Sequence, residues 1–296
     1  MKRAALLALS FLSCGHTGIA AAQNAAQVAA QVAAQDAAQI PYGNNPKAGH
    51  FFQVDDAKIY YEIYGSGDPL VLLHGGLYGY IDEFSEVIPE LSRHYTVIAI
   101  ALRGHGKSEI GTKPLSNALF AEDSAAVIRH VTNKPVNLVG FSVGAMSSYL
   151  LTIDHPDLVR RLVAVGGPIG GSEPSASAAG PSAESVAEFN KQLSPNFIAR
   201  RDKIYPDRAA WDRLVVAMMK AEANGAGVPE DKVKLIQCPT LIAAGDRDPV
   251  GAENFAQIYH LLPHAELAIV PGCGHVVFNC NPNLMIELVE HFLQQP

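Results

Sequence analysis

The sequence predicts an α/β protein: a mostly parallel central sheet with helices on both faces and a helical cap inserted late in the chain. Three observations carry this expectation. Short apolar runs alternate with helical stretches from Leu70 to the C-terminus, as strands do when crossover helices bury both their faces. A Gly-x-Ser-x-Gly pentapeptide, Gly140-Phe141-Ser142-Val143-Gly144, sits where one of these runs gives way to a helix. Further on, about 65 residues separate two of the runs, too many for a connecting loop.

At the N-terminus, Lys2 and Arg3 precede the apolar stretch Ala4–Leu12, and Ala20-Ala21-Ala22 offers an A-x-A site before Gln23. Residues 1–22 are therefore expected to be a signal peptide, and the mature chain periplasmic or secreted. Phe11-Leu12-Ser13-Cys14 matches a bacterial lipobox only distantly, departing at Phe11 and Leu12. Residues 23–48 are expected to be a tether. Their Ala-Ala-Gln-x repeat favours helix locally but has almost no large apolar side chains to dock it.

The folded core is expected over 49–169 and 236–296. Phe51–Val54 and Lys58–Ile63 form a hairpin turning at Asp55-Asp56. The runs Pro69–Leu73, Thr96–Ala101, Val136–Phe141, Leu162–Val165, Thr240–Ala244 and Glu266–Val270 supply the parallel strands. Helical stretches lie over Leu119–His130, Met146–His155, Glu253–Leu261 and Leu284–Phe292. The cap spans 170–235: a Gly/Ser/Pro/Ala-rich entry, then helical patterns over Glu184–Leu193 and Ala209–Ala221. It should lie over the sheet edge where such folds bind ligands. Phe197, Tyr205, Trp211, Met218 and Met219 either line its underside or form its own core.

Composition narrows the function. A formal net charge of −7, with 17% charged residues and no clustered Lys or Arg, gives no footprint for nucleic acid. After the leader there is no apolar run near the roughly 20 residues of a membrane span. A small-molecule substrate remains, and nothing in the pattern specifies an oligomeric state. No H-E-x-x-H, C-x-x-C or G-x-G-x-x-G run implies a metal or cofactor. Cys273 and Cys280 flank one loop and are the plausible disulfide pair, although three free thiols would fit equally well; Cys238 is expected to be unpaired.

A serine between strand and helix stands on a tight elbow with its hydroxyl exposed and the helix N-terminus beneath it. Ser142 is thus the candidate nucleophile, and it needs a base. His275, in Gly272-Cys273-Gly274-His275, follows a strand end. The acid comes from Gly245-Asp246-Arg247-Asp248; Asp248, deeper in its loop and before Pro249, is preferred over Asp246. Oxyanion donors are expected from the backbone N–H of Val143 and from Gly76, with Leu77 the alternative to Gly76. Leu77, Tyr78, Trp211 and Met218 are the candidate substrate contacts.

From about Phe51 to Phe292, outside the cap, the chain resembles the α/β-hydrolase superfamily, most closely its esterase and cofactor-free perhydrolase branches. His74-Gly75-Gly76, Arg103-Gly104-His105-Gly106-Lys107-Ser108, the GFSVG elbow, Gly245 with Asp248, and Gly274-His275 carry that resemblance. It departs at Ala101, where the family usually has aspartate. The resemblance implies two-step acyl transfer to an ester or lactone carbonyl without a cofactor. Serine at 142 argues against dehalogenase or epoxide hydrolase chemistry, for which those relatives place aspartate there. The same triad can also run perhydrolysis, C–C hydrolysis or thioester cleavage, and some members of this fold are non-catalytic ligand receptors.

Overall fold

The computed structural model describes residues 40–170, 181–224 and 227–295. The expected leader, most of the expected tether and the Gly/Ser-rich entry to the cap lie outside the described residues.

An antiparallel hairpin, β1 (Gly49–Val54) and β2 (Ala57–Tyr64), opens the sheet. Its two-residue turn is at Asp55-Asp56, with Asp55 at φ 49°. The remaining strands are β3 (Asp68–Leu73), β4 (Tyr95–Ile100), β5 (Val136–Phe141), β6 (Val159–Val165), β7 (Thr240–Gly245) and β8 (Ala265–Val270). The sheet order is β1-β2-β4-β3-β5-β6-β7-β8, parallel from β4 onward. After β3 the chain goes outward to β4, then returns to the other side of β3 as β5. That reversal opens a crevice at the C-terminal ends of β3 and β5, where Leu73 pairs with Gly140.

Side chains alternate between the two faces. Val71, Leu73, Ile98, Leu138 and Ile242 pack on one side, with helices Asn117–Val131 and Val143–Asp154. Leu70, Leu72, Val97, Val139 and Leu241 pack on the other, with Phe84, Phe278, Met285 and Phe292. All six residues of β5 are buried, as a strand covered on both faces must be. Each fully buried leucine or isoleucine contributes roughly 2 kcal/mol.

The fold starts earlier than the expected boundary at 49. Glu62, fully buried, accepts from the Gly43 and Asn45 amides at 2.7 and 2.8 Å and from the Tyr60 and Tyr64 hydroxyls at 2.7 Å each. Tyr80 donates to the Gly43 carbonyl at 2.6 Å. Residues from Tyr42 on thus belong to the core unit. Polar contacts dock them, which an apolar pattern does not reveal. Arg103, also fully buried, spans from Asp123 (2.7 and 2.8 Å) to Asp56 (2.7 Å). It ties its Gly-His-Gly loop to the hairpin turn.

The cap contains helices Ala183–Lys191, Pro195–Ile204 and Arg208–Ala223. The middle one is an addition to the sequence reading. Ser194 caps it by accepting from the Phe197 amide at 3.2 Å, and Pro195 occupies its first turn, a start signal with no clear apolar stripe behind it. Trp211 corrects an expectation. It is fully buried among the rings of Phe189, Phe197 and Tyr205 and donates to Asn190 Oδ1 at 2.8 Å, so it forms the cap's own core. Among the described residues, no helix is long and apolar enough to cross a membrane.

Candidate active site

Between β5 and helix Val143–Asp154 a single residue, Ser142, makes the turn. Its φ of 54° and ψ of −116° lie outside the regions open to an L-residue. Its amide is anchored on the Val165 carbonyl at 2.8 Å, and its carbonyl accepts from Met146 at 3.0 Å. The flanking glycines are steric necessities: a Cβ on Gly140 would lie 2.4 Å from the Gly144 carbonyl oxygen, and one on Gly144 2.1 Å from that of Leu73.

The loops after β7 and β8 bring two more groups to the same rim. His275 Nε2 lies 2.9 Å from Ser142 Oγ, and its Nδ1 lies 2.7 Å from Asp248 Oδ2. The Asp248 side chain is fully buried, and its other oxygen accepts from the Val250 amide at 3.0 Å. A carboxylate at Nδ1 fixes the proton there, so Nε2 faces the serine as an acceptor. Asp246 instead accepts from the Gly272 amide at 2.7 Å, tying the two loops together. The two aspartates offered by the sequence thus have separate roles.

The third loop, after β3, supplies Gly75 and Gly76. A Cβ on Gly76 would stand 2.7 Å from Val143 Cγ2, so Gly76 and Val143 are in close contact. Among the described residues neither the Gly76 nor the Val143 amide has an acceptor. Below this loop, buried His74 donates from Nδ1 to the Gly75 carbonyl (2.7 Å) and accepts the Leu102 amide at Nε2 (3.0 Å). Burial holds His74 well below its usual range and pushes His105 down to about 4. Both rings are neutral supports.

Ser142 and His275 open onto a cavity of about 600 Å³, with Leu77, Tyr78, Phe141, Met146, Met218 and Met219 among its walls. Trp211, Phe197 and Tyr205 are not on it. A larger open cleft, about 820 Å³, lies between residues 110–115 and helix Arg208–Ala223 and is lined by none of Ser142, Asp248 and His275. Two residues the sequence reading did not single out also matter. Glu83 lines the cavity and accepts the Gly75 amide at 2.7 Å. Burial pushes its carboxyl up to about 7, against the lowering effects of the Gly75 N–H and of Arg200. Arg200, on the middle cap helix, donates to Asp82 Oδ2 at 2.7 Å and to the Tyr78 carbonyl at 2.6 Å. Among the described residues no group of three or more His, Cys, Asp or Glu side chains is placed to hold a metal ion.

The sequence signature described as the alpha/beta hydrolase family matches residues 70–282, from β3 to the start of the last helix. The chain belongs to the alpha/beta hydrolase family. It is 24% identical to the (E)-2-((N-methylformamido)methylene)succinate hydrolase of Acinetobacter baylyi over 85% of this chain and 96% of that protein. It is 26% identical to the pimeloyl-[acyl-carrier protein] methyl ester esterase of Yersinia enterocolitica, over 80% and 98%. Among solved structures it is similar to a serine hydrolase involved in carbazole degradation, with a TM-score of 0.70 at 24% identity, over 83% of this chain and 98% of that one.

Proposed function

We propose that this hydrolase is an exported serine esterase that cleaves a carboxylic ester or lactone through an acyl-enzyme. The observation carrying this reading is the unbroken chain from Ser142 Oγ to His275 Nε2 at 2.9 Å and from His275 Nδ1 to Asp248 Oδ2 at 2.7 Å. Ser142 Oγ attacks the carbonyl carbon while His275 takes its proton. The tetrahedral oxyanion is held by the Gly76 and Val143 N–H groups. Collapse breaks the bond to the alcohol oxygen, which leaves with the proton from His275. Water, deprotonated by the same imidazole, then attacks the acyl-enzyme, and the acid is released. Asp248 stabilises the imidazolium in both half-reactions. Leu77, Tyr78 and Met218 are the proposed substrate contacts.

Export is supported by the leader pattern of residues 1–22 and by the joining of Cys273 to Cys280, whose Cα atoms are 5.8 Å apart, with Cys238 free. Disulfides of this kind belong to oxidising compartments.

The test is Ser142→Ala against a panel of p-nitrophenyl esters and lactones. Turnover should fall by roughly 10⁴- to 10⁶-fold with the thermal transition unmoved, and a fluorophosphonate should label the parent only. Parent-level hydrolysis by the variant would exclude Ser142 as nucleophile. Labelling of the parent without ester turnover would favour C–C hydrolysis, perhydrolysis or a receptor role, each then assayed directly.

A further inference from the structure

The charge on the cavity walls is one-sided. The acidic residues lining it are Glu83 and Glu222, and among the described lining residues there is neither Lys nor Arg. The nearby cation Arg200 is engaged by Asp82 and the Tyr78 carbonyl. Glu83 is the better placed of the two wall carboxylates. It holds the amide of Gly75, one residue before the proposed oxyanion donor. A Cβ built on Gly75 would meet both the Phe141 ring (3.1 Å) and Glu83 Oε2 (3.2 Å), so the carboxyl and Phe141 flank the same point of the loop.

On the esterase reading above, we infer that Glu83 is a specificity-determining residue that closes the cavity to carboxylate-bearing substrates and selects neutral or hydrogen-bond-donating acyl groups. An anionic substrate entering this cavity would lose hydration and meet no Lys or Arg among the described lining residues to compensate it. It would also meet a like charge. Repulsion between unit charges within about 8 Å, at the effective dielectric of a partly buried site, lowers binding on the order of 30-fold.

The discrimination depends on pH, and its sign follows from the groups around Glu83. Burial raises its carboxyl to about 7, Asp82 beside it acts in the same sense, and the Gly75 N–H and Arg200 from the cap act against it. His275, Tyr78 and Glu222 are the other titratable groups of the cavity wall, and His74 beneath the loop is neutral. Below about 7 the carboxyl is protonated and can donate. Above it the group is ionised, and repulsion of an anion is complete.

The experiment compares kcat/KM for p-nitrophenyl heptanoate and p-nitrophenyl hydrogen adipate, close in size but differing in charge, from pH 5.5 to 8.5. For the parent, the neutral ester should lead by at least about 30-fold at pH 8, and the ratio should shrink several-fold as pH falls through 7. Glu83→Gln, whose amide oxygen can still accept the Gly75 N–H, should narrow the lead by about that 30-fold, leaving only what desolvation and Glu222 impose, and flatten the ratio with pH. Equal or better turnover of the half-ester at pH 8, or a Gln variant with an unchanged ratio and profile, would overturn the inference. If Gln at 83 fails to fold, the pH dependence of the ratio in the parent alone still decides. Loss of both activities with an unlabelled Ser142 would remove the esterase reading and this inference together.

Discussion

Arg200→Ala uncouples the cap from the loop that carries Gly76. The guanidinium makes a bidentate pair with Asp82 and a third bond to the Tyr78 carbonyl, two residues beyond Gly76. Its side chain is 31% exposed and that of Asp82 29%. An exposed ion pair is worth about 0–1 kcal/mol, and a hydrogen bond to a charged group about 1.5–3 kcal/mol. With partial exposure, removing Arg200 should cost about 2 kcal/mol. In a domain of this size that lowers Tm by roughly 4–8 °C. The Tyr78 carbonyl loses its donor, so the loop relaxes and kcat should fall about tenfold, the equivalent of roughly 1.4 kcal/mol at the transition state. Because Arg200 lowers the Glu83 carboxyl, its loss should also move the onset of discrimination against anionic esters to higher pH. Calorimetry and ester kinetics on Arg200→Ala, Asp82→Asn and the double variant give the coupling, expected at about 1 kcal/mol or more. An additive cycle with Tm within 1 °C of the parent would refute the reasoning: the bridge would then be a surface contact that positions nothing.

Two further outcomes rest on other parts of the structure. The Cys273–Cys280 bridge closes a loop with a sequence separation of 7 around His275. In the chain-entropy account a loop this short is worth about 2–3 kcal/mol, so Cys280→Ser, or reduction of the parent, should lower Tm and reduce kcat several-fold; equal kcat in oxidised and reduced protein would show that the bridge does not hold His275 in place. Glu62→Ala leaves two amides and two tyrosine hydroxyls without their acceptor. It should cost about 3–5 kcal/mol in urea unfolding and Glu62→Gln clearly less, whereas a neutral Ala variant would mean that residues 42–45 do not depend on this carboxylate.

What the sequence could show, and what it could not, follows from the range of each interaction. The elbow was legible because its cause is local: with Ser142 as the whole turn, Gly140 and Gly144 must lack side chains, and the pentapeptide records that requirement. Loop position favoured Asp248 over Asp246 in sequence but could not supply their partners, since only the direction taken after Gly245 sends one to Gly272 and the other to His275. Trp211 illustrates a different ambiguity. A large aromatic on an amphipathic helix fits a ligand wall and a helix core equally well, and three neighbouring rings decide for the core. Glu83 and Arg200 left no sequence signal because their meaning lies in partners supplied by folding; Arg200 meets Asp82 across 118 residues.

The two halves of the site are held by different kinds of contact, and this bears on where substrate choice resides. On the core side, backbone presses on backbone: a Cβ on Gly245 would lie 2.1 Å from the Cys273 carbonyl oxygen, as tight as the Gly144–Leu73 approach at the elbow. A packed interior yields little, so this half tolerates almost no variation and keeps the reactive geometry. On the cap side the cavity is walled by side chains, with Phe189, Met218, Met219 and Glu222 reaching in and Arg200 fixing the cap to the loop below. Side chains there can change without disturbing Ser142, so relatives can share the sheet and differ in what they bind. An identity of about a quarter to hydrolases named for different substrates therefore fixes no substrate for this chain. If the inference about Glu83 holds, the charge of this chain's own cavity predicts poor turnover of esters that carry a carboxylate.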